Sequence, residues 1–456
     1  MAPALGALAG VRPVGALAAV VSAAAFARLA VAHWGRAGHP AAALFAVATV
    51  ADLMIGRIAY ALGVAVGLAA LLALRQGRSL AAAALAVVCS ATSPVAGLFL
   101  ALAGVAVALT ATMRRPALGV AAAALGTAGA LATLFPQGSA QPIGPWSPIA
   151  VITASATIAV AAAPRDRALR VGAGLYALAG VLAFALPTPI GSNVSRLGAA
   201  FGLPLLAGII AARGTASLSR PAIVGATIAL AGWQWWAPLR ELGKSADPSF
   251  SARYYAPLLA YLDRAAPRSL RVEVPFTRAH MEAVEVAADR PLARGWQTQM
   301  DRERNRLFFD PSAVTAASYE RWLRANAVSY VALPDAPIDP AGRAEAALVR
   351  RRPAYLESVW RDAHWQVFRV RGAAPLVSGP ARLTSLGTDG FTLRARAPGR
   401  AVVHVRFTPY WTGACVRRAP GGWTEVALDG PGTVRVQARF SLTRGLLGGG
   451  RCEAPR

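Results

Sequence analysis

The sequence predicts a polytopic α-helical membrane domain of about ten helices, followed by an extracytoplasmic α/β domain and a small β-sandwich. Hydrophobic residues make up 55% of the 456 residues and charged residues only 15%, whereas soluble domains carry about 25% charge. The charge is also uneven, because all but two of the 22 acidic residues follow position 240. After that position, helical and strand-like patterns alternate, and they then give way to short strand-like runs. We therefore expect three domains, at residues 1–240, 241–373 and 374–456.

Apolar segments predict the helices of the membrane domain. A helix needs about 20 apolar residues to cross a bilayer, with a range of about 17–25, so the shorter segments are marginal. The last segment ends in Trp233, Trp235 and Trp236, and clustered tryptophan is typical of a membrane–water interface. We expect Pro238 to end that helix, because proline lacks an amide hydrogen. The segments are 14–32, 41–56, 58–74, 79–92, 97–112, 117–134, 148–164, 169–187, 197–212 and 221–238.

The arginines between these segments fall into two alternating sets of loops. The poorer set holds Arg57 and Arg196, and the richer set holds Arg36, Arg75, Arg78, Arg114, Arg115, Arg165, Arg167, Arg170, Arg213 and Arg220. The positive-inside rule makes the richer set cytoplasmic, which predicts a multi-pass protein of the cell membrane with its C-terminal domains outside the cytoplasm. The N-terminus is then also outside. No basic segment precedes the first apolar run, so we expect the chain to begin within a fold whose earlier helices lie upstream.

The formal net charge of +25 does not indicate nucleic-acid binding. Lys244 is the only lysine among the 47 basic residues, a bias typical of a GC-rich genome, and no nucleic-acid motif accompanies the charge. The sequence instead indicates a basic surface, which would favour anionic membrane lipid or envelope polymer. It also lacks a glycine-rich phosphate loop, zinc-ligand spacing and a nucleophile elbow. We therefore predict no metal, and the cofactors remain unknown.

Two ionisable residues, Asp52 and Arg57, lie close together at the junction of two apolar segments. Ionisable groups at membrane depth are costly, so they are usually paired or functional. One interpretation is an ion pair between Asp52 and Arg57. The other is a site for the phosphate of a lipid-linked substrate, because the planar guanidinium group matches phosphate oxygens.

The α/β domain contains one stretch that is rich in polar chemistry. We predict helices in SARYYAPLLAYLDRAAP, ASYERWLRANAV and AGRAEAALVRR, and strands in SLRVEVPF, SYVAL and HWQVFRV. Between the first strand and the second helix, a tryptophan lies among charged and amide side chains, a combination typical of sugar-binding sites. The alternative is a solvated loop whose Trp296 fills the domain core. The candidate glycan-binding residues are His280, Glu282, Arg294, Trp296, Asp301 and Asn305.

In the last domain, short alternating runs separated by turn residues predict a small antiparallel sandwich. Cys415 and Cys452 both lie in this domain. If the domain faces an oxidising compartment, we expect the two to form a disulfide that closes a loop of about 40 residues. Cys89 lies in an apolar run, where we expect an inert, packed thiol.

Several stretches resemble large multi-pass membrane proteins of actinobacteria that are similar to the GT-C glycosyltransferases. Two of them lie in the membrane domain and three in the α/β domain, and the resemblance covers most of the chain. They are ADLMIGRIAYALG, TSPVAGLFLALAG, LARGWQTQMDRERNRLFF, RWLRANAVSYVALPD and VWRDAHWQVFRV.

The resemblance implies that the protein takes sugar from a polyprenyl-phosphate donor on the outer face of the membrane. It also implies an acidic residue in the first outer loop, as base or metal ligand. This sequence departs from that pattern, since Asp52 is the only candidate carboxylate near an outer loop, and the catalytic residues stay unknown. Two hypotheses remain: a GT-C-like glycosyltransferase or a truncated remnant of one, and a non-catalytic membrane protein whose outer domains bind or scaffold envelope glycans.

Overall fold

The computed structural model divides into two compact units, Met1–Gly243 and Lys244–Arg456. The structure describes residues 2–110, 113–135, 139–213, 219–265, 267 and 269–448.

The first unit is helical throughout the part of the chain that the structure describes. Its predicted helices are confirmed as helices, and two 3₁₀ turns, Gly35–Gly38 and Gly191–Val194, join neighbours. The helices are α1 (Ala2–Ala9), α2 (Val11–Trp34), α3 (His39–Met54), α4 (Ile58–Arg75), α5 (Ser79–Thr92), α6 (Pro94–Thr110), α7 (Arg114–Leu134), α8 (Trp146–Ala161), α9 (Arg167–Ala185), α10 (Ser195–Arg213) and α11 (Arg220–Leu242).

Within the described residues, five helical stretches are long and apolar enough to cross a membrane: Val11–Met54, Ile58–Arg75, Arg114–Leu134, Arg167–Ala185 and Gly191–Ala212. Helices α5, α6 and α8 are apolar but shorter, with 14, 17 and 16 residues. The structure therefore has about five candidate spans, and the predicted total of about ten spans stays a prediction. The expectation that Pro238 ends a helix is wrong, because α11 continues to Leu242. A proline inside a helix removes one amide donor, but the helix can continue on both sides of the proline.

Small residues let the helices of this unit approach closely. The side chains of Ala82, Ala86 and Ala117 are fully buried, and the hydroxyl of Ser90 on α5 donates a 2.8 Å hydrogen bond to the Ala124 carbonyl on α7. At Gly104 on α6, a Cβ would come within 2.9 Å of the Ala117 carbonyl oxygen. This packing is typical of membrane helices, which associate through small residues and occasional interhelical hydrogen bonds.

The second unit begins with an α/β region. Its helices are α12 (Ala252–Ala265), α13 (Glu282–Glu285), α14 (Thr298–Arg304), α15 (Ala316–Ala325) and α16 (Arg343–Arg350), and its 3₁₀ turns are Pro248–Phe250, Arg306–Phe309, Pro311–Ala313 and Pro340–Gly342. Its strands are β1 (Arg271–Glu273), β2 (Val328–Pro334), β3 (Leu356–Arg361) and β4 (Trp365–Val370), which form one sheet in the order β1-β2-β4-β3. Strands β1 and β2 are parallel, and the other pairs are antiparallel. All predicted helices and strands of this region are present, whereas β3 and the short helices α13 and α14 were not predicted.

Apolar layers cover both faces of this sheet. On one face, Tyr255, Leu258 and Leu262 of α12 pack with Ala332 of β2. On the other face, α15 and α16 pack with the alternate β2 residues, including Val331. The alternation of side chains along β2 therefore separates the two halves of the core.

The remaining strands form two antiparallel four-stranded sheets that share one core, as expected for a sandwich. The sheets have the orders β10-β11-β8-β5 and β6-β7-β12-β9. Leu393, Val403, Val426 and Val436 are fully buried between them. The strands are β5 (Val377–Ser378), β6 (Ala381–Leu386), β7 (Gly390–Ala395), β8 (Gly399–Arg406), β9 (Trp411–Thr412), β10 (Val416–Arg418), β11 (Trp423–Leu428) and β12 (Gly432–Ala438), with the 3₁₀ turn Pro420–Gly422 and the helix α17 (Leu442–Leu447).

The α/β region and the sandwich belong to the same compact unit. Buried Arg271 on β1 donates hydrogen bonds of 2.5 Å to the carbonyls of Asn326 and His404, and His404 lies on β8 of the sandwich. Cys415 is disulfide-bonded and Cys89 is a buried free thiol. Cys452 lies outside the described residues, so its predicted bond to Cys415 stays a prediction.

Candidate functional site

An elongated apolar cavity of about 320 Å³ lies among the helices of the first unit. Residues of one face of α4 line it from Tyr60 to Leu71, which corresponds to about 16 Å of helix length. The remaining lining comes from α2, α6, α8, α9 and α10, and nearly all of it is hydrocarbon. A long cavity with an apolar lining is suited to a hydrocarbon chain rather than to a polar metabolite.

Several glycines line this cavity, and one of them leaves open space in it. Gly67 on α4, Gly172 on α9 and Gly202 on α10 all line it. At Gly172, an added Cβ would meet only Ala106, at an ordinary 3.6 Å. The empty space next to Gly172 is therefore due to the missing side chain of this residue.

Ionisable side chains gather near the Tyr60 end of the cavity. Arg57 Nη1 lies 3.8 Å from Asp52 Oδ1, so the predicted ion pair is present, with both side chains partly exposed. Asp52 also interacts electrostatically with Arg196. The guanidinium carbon of Arg196 lies 5.2 Å from the centre of the Tyr60 ring, in a cation–π contact.

Arg196 was not among the residues predicted for a functional site. Its Nε is buried without a hydrogen-bond partner among the described residues, and so is the Tyr60 hydroxyl. Buried polar atoms are normally paired, so orphaned donors indicate an absent partner. Two arginines and one aspartate leave a net positive charge at this end of the cavity. The available signal was that Arg57 and Arg196 occupy the same arginine-poor set of loops.

In the second unit, three of the predicted glycan-binding residues form a buried network. The guanidinium group of Arg294 donates to both Asp301 oxygens, at 3.1 and 2.7 Å, and to Glu345 at 3.1 Å. Asn305 donates to Asp301 at 2.8 Å and accepts from the Trp322 indole at 2.9 Å. Arg294, Asp301 and Asn305 are all buried, so a glycan cannot contact them in this structure, and their arrangement favours a structural role.

A further carboxyl group, Glu273, lies buried beside this network. Burial, reinforced by the charge of Glu345, raises the pKa of Glu273 well above its ordinary value. Neither oxygen of Glu273 has a hydrogen-bond partner as an ionised carboxylate. When protonated, Glu273 can donate a hydrogen bond to Glu345, which also accepts from the Tyr319 hydroxyl at 2.8 Å. Sequence reasoning missed Glu273 because it stands in an ordinary strand.

The other predicted glycan-binding residues lie together, but only Trp296 is well exposed, whereas Glu282 is buried. The rings of His280 and Trp296 stack with their centres 4.9 Å apart and their planes 9° from parallel. His280 Nε2 lies 3.4 Å from Asp339 Oδ2, and His280 Nδ1 lies 3.7 Å from Oε1 of buried Glu282. The indole of Trp296 is 59% exposed, so the alternative in which it fills the domain core is wrong.

Within the described ranges, no group of three or more His, Cys, Asp or Glu side chains could hold a metal ion.

The first unit combines several helices long enough to span a membrane with an apolar cavity that has a cationic end. The chain matches no protein-family model, and no curated protein or solved structure is significantly similar to it.

Proposed function

We propose that this protein is a multi-pass membrane protein of the cell envelope that binds a polyprenyl-phosphate-linked sugar and acts as a GT-C-like glycosyltransferase. The observation that carries the proposal is the apolar cavity, which begins at Tyr60 beside Arg196 and the Asp52–Arg57 pair. A polyprenyl phosphate has the matching chemistry, because a long hydrocarbon chain is joined to one anionic group.

The lipid tail would lie along α4 between Tyr60 and Leu71, where the lining is apolar. The phosphate would meet Arg196 and Arg57, whose guanidinium groups suit phosphate oxygens better than an ammonium group does. The unpaired Nε of Arg196 would then gain the acceptor that the described residues do not supply. Burial of apolar surface would provide most of the affinity, and the arginines would set the position of the head group.

Asp52 is the carboxylate at this end of the cavity. Glycosyl transfer breaks the bond between the sugar and the phosphate oxygen, and the acceptor hydroxyl must lose a proton. A carboxylate within reach can take that proton as a general base. We therefore propose Asp52 for this role, which Asp52→Asn would abolish without removing lipid binding.

The orientation of the protein is part of the proposal. The alternating arginine loops favour an outer location for the cationic end of the cavity and for residues 241–456. A phosphatase fused after residue 456 should be active outside the cytoplasm. Activity confined to a cytoplasmic reporter would contradict this topology.

Lipid binding can be tested with the full chain in nanodiscs and a photoreactive polyprenyl phosphate as the probe. We expect Arg196→Gln to reduce crosslinking about tenfold, since it removes a charged phosphate ligand. Exposed Arg115 provides the matched control, so Arg115→Gln should crosslink like the unaltered protein. Equal crosslinking of both variants would overturn the lipid-phosphate proposal.

A further inference from the structure

Trp296 presents one face of its indole to solvent while the other face is supported. The supporting ring is His280, stacked nearly parallel beneath it, and only 13% of the His280 side chain is exposed. His280 packs in turn against the Phe276 ring in a T-shaped contact, with the ring centres 5.2 Å apart. The exposed ring is therefore a fixed platform rather than a loose surface side chain.

The backbone around the platform is anchored at both ends. Just before it, buried Arg294 lies between the rings of Phe276 and Phe308, at 4.0 and 3.9 Å. Just after it, Asp301 holds the same guanidinium group, so the exposed stretch 295–297 spans two fixed points. Pre-organisation of this kind lowers the entropic cost of binding a ligand.

The platform lies at the edge of the sheet where ligand sites occur in α/β folds. Strand β1 is parallel to β2, and Val272 also forms a parallel bridge with Leu292, a few residues before Trp296. The segments after β1 and β2 meet at this edge, where Thr277 bridges Ile338. The carboxyl ends of parallel strands form the usual crevice for ligands in open sheets.

One partly exposed carboxylate lies beside the supporting ring of the platform. Asp339 is 28% exposed beside His280, and its Oδ1 accepts the Ala341 amide at 2.9 Å. Glu282 Oε2 accepts the Thr277 hydroxyl at 2.6 Å, whereas Glu282 Oε1 is buried without a hydrogen-bond partner among the described residues. Glu282 is buried, so Asp339 is the carboxylate that a ligand at the rim of the platform could reach.

We propose that the supported face of Trp296 is a carbohydrate-binding platform, with Asp339 accepting hydrogen bonds from sugar hydroxyl groups. A pyranose ring offers an apolar C–H face to the indole and a rim of hydroxyl donors to the Asp339 carboxylate. Aromatic rings with one apolar face and nearby polar groups suit such a ligand. The site is distinct from the lipid cavity of the first unit and does not depend on its function.

An organic cation is the competing ligand for an exposed tryptophan with carboxylates nearby. The indole already stacks on His280, whose ring lies between the carboxylates of Asp339 and Glu282. Those carboxylates favour the protonated imidazole, so Asp339 already has His280 as its cationic partner. A neutral sugar hydroxyl can donate to this paired carboxylate without competing for it, so the geometry favours a sugar over a cation.

Saturation-transfer NMR on the full chain in nanodiscs tests this proposal. The probes are oligosaccharides of glucose, galactose, mannose and arabinose, together with choline. We expect transfer to the ring C–H protons of at least one saccharide, and an affinity about tenfold weaker in Trp296→Ala, since an aromatic contact of this kind is lost. Trp296→Phe should retain part of the affinity.

Controls separate loss of the platform from loss of the fold. Phe440 is also exposed, at 60%, and belongs to the same unit, so Phe440→Ala should bind like the unaltered protein. His280→Asn should weaken binding without unfolding, because its φ of 56° is one that asparagine adopts readily. The proposal is overturned if no saccharide binds, if Trp296→Ala binds normally, or if choline binds in their place.

Discussion

Arg294 and Asp301 form a bidentate ion pair that is almost completely buried, with both side chains at most 1% exposed. They are seven positions apart in the sequence, and the loop that carries Trp296 lies between them. The pair therefore fixes the ends of this loop. Because both charges are desolvated, removing one partner should destabilise the fold much more than in a surface ion pair.

The first prediction concerns this pair. Arg294→Met should destabilise the second unit by about 3–5 kcal/mol, because it leaves Asp301 and Glu345 buried without a counter-charge. Thermal unfolding of the full chain in detergent, followed by hydrogen exchange in residues 271–305, measures the effect. Arg324→Met provides the control, since Arg324 pairs with Glu320 on an exposed helix face and should change stability by less than about 1 kcal/mol. Similar losses in both variants would contradict the structural role.

The second prediction concerns the pH dependence caused by Glu273. Its pKa is raised by burial, so the folded protein holds this proton more tightly than the unfolded chain does. The stability contributed by Glu273 is fully present below the unfolded pKa of about 4.5 and is lost as the pH rises towards the folded pKa. Glu273→Gln keeps the shape and the hydrogen-bond donor. It should therefore gain stability relative to the unaltered protein between pH 5 and pH 8, by about 1 kcal/mol or more.

Melting temperatures measured across that pH range provide the test for Glu273. Glu303 is exposed on α14, so Glu303→Gln should follow the unaltered protein at every pH. A Glu273→Gln variant with an unchanged pH profile would show that Glu273 is ionised in the folded protein.

The third prediction tests the cavity by filling it. Gly172 lines the cavity, and the space in front of its Cα is free up to Ala106. Gly172→Leu should place a side chain in the path of a lipid tail and reduce polyprenyl-phosphate crosslinking at least about tenfold. Gly174, two residues along the same helix, faces away and has no neighbour within 4 Å of an added Cβ. Gly174→Leu should therefore crosslink normally, and equal behaviour of the two variants would disprove occupancy of the cavity by the lipid.

The fourth prediction separates the two roles of Arg57. If Arg57 binds phosphate through its planar fork, Arg57→Lys should weaken lipid binding although the charge is kept. If Arg57 only pairs with Asp52, at the observed 3.8 Å, lysine should be tolerated. We expect a loss of about fivefold to tenfold in lipid crosslinking. Unchanged crosslinking would restrict Arg57 to the ion pair and leave Arg196 as the phosphate ligand.

The fifth prediction concerns the disulfide of Cys415. If its partner is Cys452, protein denatured without reductant should label one thiol per chain, that of Cys89. Cys452→Ser should then expose a second reactive thiol and destabilise the sandwich by about 2–4 kcal/mol, because a loop of about 40 residues is no longer closed. Cys89→Ser serves as the control, since it should remove the single label without exposing a new thiol. Two labelled thiols in the unaltered protein would exclude the Cys415–Cys452 pair.

The sequence by itself determined the elements and their approximate ends. Apolar runs of helical length, as in 58–74, depend on local composition, and so do the alternating runs that became β7 and β8. Strand β3 was not predicted from the sequence. It lies at the edge of its sheet with partly exposed faces, so it lacks the clear apolar–polar alternation that identifies a strand. The ion pair of Asp52 with Arg57 could be anticipated because only five positions separate the two residues.

The tertiary structure alone decided which distant residues share a site. Tyr60 and Arg196 meet although 136 positions separate them, and no local pattern encodes that contact. Arg294 and Trp296 were both predicted to bind glycan, yet the arginine is buried and the tryptophan exposed. Burial depends on which partners the fold brings together. A guanidinium group with two carboxylates and two aromatic rings is stable inside the core, whereas the indole is supported at the surface by a single ring, that of His280.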